Sequence, residues 1–208
     1  LICIPSGNHD MDRLARSLNE DEIKIAFAFL LSMPGAPFIY YGDEIGIRYV
    51  ENLTSVEGGY NRTGSRSPMQ WDGSANAGFS SSAPEKLYIP IDADKDRPTV
   101  EKQAADSASV YSEVRRLIEI RQAHEALQSR GEIEFVYAEK NAYPLSYIRS
   151  GGGEKILVII NPSGREQKFA CSFPLSEAIY SIGGAASASD GIITVPPCSA
   201  GFYGGHGI

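Results

Sequence analysis

The sequence predicts an α/β region followed by an all-β region. Residues 1–4 and 37–41 are apolar runs of strand length on either side of a helical pattern. A second helical pattern extends from about residue 106 to residue 129. After Gly131, short runs of alternating apolar and polar residues are separated by Gly, Pro and Asn. Such a succession is typical of an antiparallel β-sandwich.

The first helix is predicted from a capping signal and from its period. Asn19 precedes Glu22 by three residues, as in a capping box. Apolar residues then recur at helical spacing at Ile23, Ala26, Phe27, Leu30 and Leu31. The run Met33-Pro34-Gly35 is predicted to end the helix. Both flanking strands are nearly all apolar, which predicts burial on both faces, as in a parallel sheet.

Residues 42–105 show no sustained period and are rich in Gly, Ser, Asn and Pro. A connection of that length inside a compact domain is more often functional than a plain linker. Strand–helix units with functional loops are typical of a (β/α) barrel, whose active site lies at the C-terminal ends of the strands. A doubly wound sheet follows the same rule, so secondary structure alone leaves both folds open.

The region after residue 130 is predicted to hold short antiparallel strands. The residues that indicate them are Ile133, Phe135, Tyr137, Leu145, Tyr147, the run Lys155–Asn161, Phe169, Cys171, Phe173, Ile192, Ile193 and Val195. Strands flank Gly151-Gly152-Gly153 closely, so this run is predicted to be a hairpin tip. We place a domain boundary near residue 130, which gives domains 1–130 and 131–208.

Charge and cysteine content exclude several classes of function. The net charge of −7 argues against a nucleic-acid partner, because phosphate binding requires a basic surface. The three cysteines form no CxxC pair, so we expect reduced thiols and no metal site. We expect no cofactor, and a cytoplasmic location, with a secreted or periplasmic location as the alternative. No apolar run is long enough to span a bilayer, so we expect no membrane partner.

Four segments together carry a family resemblance. They are Asn8-His9-Asp10, the run Met33–Gly46, the run Arg66–Asp72 with Asn76–Phe79 after it, and Leu117–Arg121. In this order they resemble the conserved segments of the α-amylase superfamily. The run Arg66–Asp72 is similar to the oligo-1,6-glucosidase and trehalose-synthase-like branch of that superfamily.

The resemblance implies the last strand–helix units of a (β/α)8 TIM barrel, followed by a C-terminal antiparallel β-sandwich. The Asn8-His9-Asp10 triplet would follow the seventh barrel strand, and the run Met33–Gly46 would form the eighth strand and its exit. A full barrel needs roughly 250 residues. In the family, the nucleophile and the acid follow the fourth and fifth strands. We therefore expect a C-terminal portion that is inactive alone, and whose partner is the N-terminal part of its barrel or a second copy.

The resemblance also assigns roles to three residues. Asp10 would be the carboxylate that stabilises the transition state, and His9 would bind a hydroxyl of the same sugar. Arg62 precedes Arg66 by four residues, the spacing of an arginine that clamps the non-reducing end of the sugar. Thr63 departs from the family pattern, which has an acidic residue there. The implied reaction is retaining hydrolysis or transglycosylation of α-linked gluco-oligosaccharides, and the sequence leaves these two open.

The other polar and aromatic residues near these motifs have structural interpretations. Arg66 is expected to order its loop. Asp43 and Glu44 form an acidic pair at a strand exit, but we do not interpret them as the catalytic acid and base. The family match assigns them to the rim and to structural pairing, and adjacent residues on a strand point to opposite faces. Trp71 is expected to be a buried anchor.

Three further aromatic or histidine residues lie outside the motifs. Tyr60 is a candidate for stacking on a sugar ring. The same stacking role is the alternative interpretation of Trp71. His124 and His206 show no partner spacing and are expected at the surface.

Two other functions compete with the enzymatic one. A non-catalytic carbohydrate-binding or partner-binding fragment fits a chain without nucleophile and acid. A nucleotide-binding α/β protein is disfavoured, because no Gly-rich phosphate loop follows a strand.

Overall fold

The computed structural model describes residues 2–53 and 62–206. Within them lie three α-helices: α1 (Glu20–Ser32), α2 (Val100–Ala105) and α3 (Val110–Ala123). The strands are β1 (Cys3–Pro5), β2 (Ala36–Phe38), β3 (Glu132–Tyr137), β4 (Leu145–Gly151), β5 (Glu154–Asn161), β6 (Gln167–Ala170), β7 (Ala178–Ile182), β8 (Ser187–Ser189), β9 (Ile192–Val195) and β10 (Ser199–His206).

Strands β1 and β2 form a two-stranded sheet. Ala36 N donates to Ile2 O, and Ser6 N donates to Phe38 O, so both strands advance in the same direction. The parallel pairing predicted from the sequence is therefore confirmed. The second strand is shorter than predicted, because Ser6 Oγ accepts the N–H of Tyr40 at 2.9 Å and the ladder ends there.

The predicted burial of these strands on both faces is wrong. Phe38 is 57% exposed, Cys3 and Pro5 are exposed, and Ile2 just before β1 is 75% exposed. The physical reason is that, within the described residues, β1 and β2 pair only with each other. A two-stranded sheet leaves apolar side chains in water that a wider sheet would cover.

Helix α1 begins with the predicted capping box. Asn19 Oδ1 accepts the N–H of Glu22 at 3.0 Å, and Glu22 Oε2 accepts the N–H of Asn19 at 2.9 Å. These two bonds satisfy donors that have no partner inside the helix. The helix ends at Ser32, directly before the predicted stop. Its buried apolar side chains are Ile23, Ile25, Phe27, Ala28, Leu30 and Leu31.

The helix predicted from about residue 106 to residue 129 is present but shorter than predicted. In that range α3 covers only Val110–Ala123, and a separate 3-10 helix follows at Glu125–Leu127; α2 precedes α3, in the stretch where no sustained period was found. Ser109 Oγ accepts the N–H of Ser112 at 3.1 Å and caps the start of α3. The helix ends at Ala123 because His124 is extended, with φ −116° and ψ 112°.

The strands after residue 130 form two antiparallel sheets. One has the order β3-β4-β5-β10-β7, and the other has the order β6-β9-β8. Side chains from both sheets share one apolar cluster, made of Leu157, Ile159, Phe169, Ile193, Val195 and Tyr203. Gly152 and Gly153 have φ of 59° and 82°, as a two-residue hairpin turn requires, so the predicted hairpin tip is confirmed. Cys171 and Phe173 lie beyond the end of β6.

The chain divides into two compact units. One unit comprises residues 1–4, 24–37 and 116–208, and the other comprises residues 5–23 and 38–115. No helix in the described part of the chain is long and apolar enough to cross a membrane. Among the same residues, no group of three or more His, Cys, Asp or Glu side chains is arranged to hold a metal ion.

Candidate functional site

The Asn8-His9-Asp10 triplet forms a tight turn soon after β1. Asn8 Oδ1 accepts the N–H of Asp10 at 2.8 Å, and Asn8 O accepts the N–H of Met11 at 3.2 Å. An Asn side chain that bonds the backbone two residues on is a common way to fix a turn. The turn leaves the side chain of Asp10 44% exposed, so its carboxylate is accessible to a ligand.

Two arginines converge on Asp10. Arg62 Nη1 lies 3.0 Å from Asp10 Oδ1, and Arg66 Nη2 lies 3.1 Å from the same oxygen. Arg66 Nε also donates to His9 O at 3.0 Å. The imidazole Nε2 of His9 lies 3.4 Å from Asp10 Oδ2. The structure therefore brings together all three residues predicted for the site, and adds Arg66 to them.

Arg66 ends a short 3-10 helix, Thr63–Arg66, and Arg62 is the residue directly before that helix. Ser65 Oγ donates to Met11 O at 2.5 Å, which ties this helix to the turn that carries Asp10. A Cβ at Gly64 would lie 2.1 Å from Val50 O, so only glycine allows this close approach. Arg66 thus orders its loop, as predicted, and also holds the Asp10 carboxylate.

Asp43 occupies a different, buried position beneath the same loops. It begins the 3-10 helix Asp43–Ile45, which follows the end of β2 at Phe38. Asp43 is 1% exposed, with Oδ1 at 3.2 Å from Arg13 Nη1 and Oδ2 accepting the Ser6 hydroxyl at 2.7 Å. Burial raises the pKa of Asp43, while Ser6 and Arg13 oppose that rise. The contacts of Asp43 with Arg13 and Ser6 agree with the structural pairing expected for this residue.

The guanidinium of Arg13 fixes the aromatic pair beside Asp43. Its carbon lies 4.4 Å from the ring centre of Tyr40 and 4.7 Å from that of Tyr41. Arg13 Nη1 also donates to Tyr41 O. The sequence analysis did not identify Arg13, because its partner Asp43 lies 30 residues away and no local sequence pattern predicts an ion pair at that separation.

Two expectations about residues outside the Asp10 cluster are wrong. Trp71 is 49% exposed and is not a buried anchor. Its neighbours anchor the segment instead, because Met69 packs in an apolar cluster and Gln70 Nε2 donates to Pro98 O at 2.6 Å. His124 has a partner, since its Nδ1 lies 2.9 Å from Glu154 Oε2, 30 residues along the chain. Tyr60 and the side chain of His206 lie outside the described residues.

Comparisons with known proteins agree with the resemblance seen in the motifs. The model of the α-amylase catalytic domain matches residues 3–130. The trehalose synthase/amylase of Mycobacterium tuberculosis strain H37Rv is 36% identical over 148 residues, which are 68% of this chain and 23% of that protein. The oligo-1,6-glucosidase of Parageobacillus thermoglucosidasius is 29% identical over 197 residues, which are 78% of this chain and 34% of that protein. The chain thus spans about a quarter to a third of these curated relatives.

A solved structure supports the same conclusion. The trehalulose synthase MutB from Pseudomonas mesoacidophila MX-45 matches 97% of this chain and 42% of its own, with a TM-score of 0.82 and 25% identity. Its TIM-barrel fold is the fold of the α-amylase family. With the family model matching residues 3–130, the chain belongs to the α-amylase catalytic-domain family.

Proposed function

We propose that this chain is part of an enzyme that hydrolyses or transfers α-linked glucosyl units, and that Asp10 stabilises the transition state. The observation that carries the proposal is the exposed Asp10 carboxylate, which two arginines hold in a hydrogen-bonded turn. Relatives at 36% and 29% identity, named trehalose synthase/amylase and oligo-1,6-glucosidase, support an α-glucoside substrate.

The geometry suits a carboxylate that binds sugar without being consumed. Both arginines contact Oδ1, and the side chain of Asp10 is 44% exposed, so its carboxylate is accessible to the hydroxyls of a sugar ring. A transition state of oxocarbenium character is stabilised by fixed negative charge, and a preorganised carboxylate supplies it without reorganisation. His9 and Arg62 border the same carboxylate and would donate hydrogen bonds to the ring hydroxyls.

The reaction we propose is retaining, through a covalent glycosyl intermediate. It needs two carboxyl groups about 5 Å apart across the scissile bond. We propose that these two groups come from outside the 208 residues, at the ends of earlier strands of the same barrel. We further propose that the two antiparallel sheets after residue 130 form the β-sandwich that follows such a barrel, because they share one apolar cluster.

The test is Asp10→Asn in the whole enzyme, which removes the negative charge and keeps the shape. We expect kcat with an aryl α-glucoside to fall at least about a hundredfold while KM changes little, because the charge acts in the transition state. Asp12→Asn is the matched control, since Asp12 is 63% exposed and pairs only with Arg16 among the contacts described. Unchanged turnover of Asp10→Asn would remove the proposed role.

A non-catalytic sugar-binding module remains the second candidate. The exposed aromatic side chains of Trp71, Phe79 and Tyr88 favour it, because such residues bind sugars without chemistry. Assays of the 208-residue chain and of the whole enzyme together separate the two functions, because a binding module predicts no turnover that depends on Asp10 in either. Our proposal expects sugar binding without turnover from this chain and turnover from the whole enzyme. Robust turnover by the chain alone would contradict the assignment of the cleaving carboxylates to other residues.

We also propose a reducing, cytoplasmic location. None of Cys3, Cys171 and Cys198 forms a disulfide in the described structure, which supports that proposal. Disulfide formation during purification from an oxidising compartment would argue against it.

A further inference from the structure

A cavity lined by three basic side chains lies within the compact unit that comprises residues 5–23 and 38–115. Its volume is about 430 Å³, and its lining comes from the start of α1, from Gly46 and Arg48, and from residues 96–109. None of the side chains that contact Asp10 contributes to this lining. A cavity of this volume falls within the range of small-molecule sites.

Arg48 lines this cavity from a fixed position. Its Nε lies 3.1 Å from Asp92 Oδ2, and its Nη1 lies 2.9 Å from Asp94 Oδ2. The remaining nitrogen, Nη2, is buried and has no hydrogen-bond partner among the described residues. Two carboxylates therefore hold a guanidinium that still has a donor to give.

Arg97 adds a second donor of the same kind. Its Nη1 donates to Asp94 O at 3.2 Å, whereas its Nε is buried and has no partner in the described part of the chain. Nearly all buried donors in proteins are hydrogen-bonded, and each donor without a partner costs free energy. Two such donors on arginines that line one cavity favour a ligand that accepts hydrogen bonds there.

Helix α2 supplies two further donors to the lining. Gln103 is 9% exposed, and its Oε1 accepts the N–H of Tyr111 at 3.0 Å. This bond orients the amide and leaves its Nε2 to donate. Lys102 carries an exposed ammonium, which donates to Lys95 O at 3.4 Å.

The charges around the cavity differ in their exposure to water. The described hydrogen bonds of Arg97 and Lys102 go to backbone carbonyls, so no carboxylate among these contacts neutralises either charge. The acidic side chains of the lining are all exposed, and they are Glu20, Asp96 and Asp106. Salt and water screen exposed charges far more than buried ones. The buried guanidinium nitrogens therefore favour a negative ligand, although three basic and three acidic side chains line the cavity.

We propose that this cavity binds a phosphate group, whose oxygens accept from Arg48 Nη2, Arg97 Nε and the Gln103 amide. Phosphate offers several strong acceptor oxygens, and guanidinium groups suit its geometry. Lys102 adds a point charge on a flexible stem. The cavity is far larger than a phosphate ion, so it also has room for the organic part of a small phosphate ester. The site is independent of the proposed function, because it uses none of the side chains around Asp10.

Other ligand classes fit the lining less well. Among the described residues, no three His, Cys, Asp or Glu side chains are arranged to hold a metal ion, and the guanidinium groups would repel one. A neutral polyol would satisfy the donors but would leave the charge of Arg97 uncompensated. A carboxylate has the right charge, but it offers two oxygens where a phosphate offers at least three.

Calorimetric titration of the whole enzyme with inorganic phosphate, at constant ionic strength, tests the site. We expect a saturable heat. Arg97→Gln should weaken the affinity at least about tenfold, because it removes a charged donor. Lys102→Gln should weaken it about threefold, because its ammonium is exposed and its contribution is screened. The Lys102 variant keeps the test decisive if Arg97→Gln does not fold.

A parallel titration with glycerol 3-phosphate distinguishes the two sources of a phosphate group. Tighter binding than that of inorganic phosphate would identify the ligand as an organic phosphate. Equal affinity would identify it as the free ion. Both results support a phosphate site at this cavity if Arg97→Gln weakens them.

Two control variants separate this site from general charge effects and from the Asp10 cluster. Lys168→Gln also removes an exposed positive charge, but it lies on β6 outside the cavity and should leave the titration unchanged. Asp10→Asn should also leave the titration unchanged while it lowers turnover. Phosphate binding in an enzyme whose turnover is insensitive to Asp10→Asn would therefore contradict the proposed function and keep the phosphate site.

Three results would overturn the phosphate site. The first is the lack of a saturable heat with both inorganic phosphate and glycerol 3-phosphate in the folded enzyme. The second is equal weakening by Arg97→Gln and Lys168→Gln, which would reveal general attraction by positive charge. The third is a saturable heat with calcium and none with phosphate, which would identify the exposed carboxylates as the binding groups.

Discussion

At the scale of single residues, Arg13 and Asp43 form a buried ion pair. Both side chains are at most 1% exposed, so neither charge has access to water. Removing one partner of a buried ion pair costs far more than the pair contributes, because the other charge is left uncompensated. Ser6 and the ring of Tyr40 depend on the same two side chains.

We predict that Asp43→Asn lowers the free energy of unfolding by about 3 kcal/mol. The reason is that the Arg13 guanidinium keeps its buried position and loses its counter-charge. Urea unfolding followed by circular dichroism measures the change. Asp12→Asn is the control, because Asp12 pairs with Arg16 at the surface and should cost less than about 1 kcal/mol. Equal losses in both variants would contradict the prediction.

Glu154 couples stability to pH. Burial raises its pKa, but the hydrogen bonds from His124 and from the backbone N–H of Ala126 outweigh burial and lower it below the ordinary 4.5. An acid whose pKa is lowered by folding stabilises the protein above the unfolded pKa, and that contribution is lost as the pH falls through the folded pKa.

We therefore predict that Glu154→Gln destabilises the chain at neutral pH, and that its difference from the natural sequence shrinks below pH 4.5. Urea unfolding at several pH values measures the free energy of unfolding of the natural sequence and of the variant as a function of pH. Glu166→Gln removes an exposed pair with Lys168 and should show a smaller difference at every pH. If the difference in free energy of unfolding between Glu154→Gln and the natural sequence grew as the pH fell, the prediction would be wrong.

At the scale of elements, the end of α1 depends on a side chain from α3. Arg121 donates to Leu31 O at 2.6 Å, to Met33 O at 2.8 Å and to Gly35 O at 2.8 Å. The last carbonyls of a helix have no partner inside it, so they need donors from elsewhere. Arg149 contributes a further donor to Ser32 O.

Replacing Arg121 by alanine is predicted to lower the free energy of unfolding by about 3 kcal/mol or more, because three carbonyls lose their donor. Arg121→Lys should recover little, since an ammonium cannot reproduce the planar fork. Thermal unfolding measures both. Arg116→Ala serves as the control, because Arg116 is exposed and contacts only the ring of Tyr180 among its described contacts, at 5.4 Å. A loss below about 1 kcal/mol for Arg121→Ala would rule out this capping role.

At the scale of the whole molecule, the parallel strands β1 and β2 expose apolar surface. Ile2 is 75% exposed and Phe38 is 57% exposed. Unpaired strand edges with apolar side chains favour association with another chain or another segment. This agrees with our proposal that further barrel strands lie outside the 208 residues.

We predict that the 208-residue chain associates in a concentration-dependent way, and that the double variant Ile2→Thr, Phe38→Thr reduces this association. Light scattering over a range of concentrations measures it. Ile192→Thr is the control, because Ile192 is also exposed but lies on β9, the central strand of its sheet. A chain that stays monomeric at every concentration would contradict the prediction.

Much of the local structure followed from the sequence. The capping box at Asn19, the stop after Ser32 and the hairpin at Gly152 depend on neighbours in the chain, and all three are present. Local hydrogen bonds and backbone preferences are encoded within a few residues, so sequence patterns carry them. The domain boundary near residue 130 and the roles of His9, Asp10 and Arg62 stay predictions.

Only the tertiary structure decided which distant side chains meet. It placed Arg62 and Arg66 on Asp10, 52 and 56 residues away, and Arg13 on Asp43. It also exposed Trp71, which the sequence predicted to be buried. Periodicity reports which side chains are apolar, but burial depends on which segments the fold brings together. The sequence by itself determined the family and the triplet that carries Asp10, while the fold decided which side chains contact Asp10.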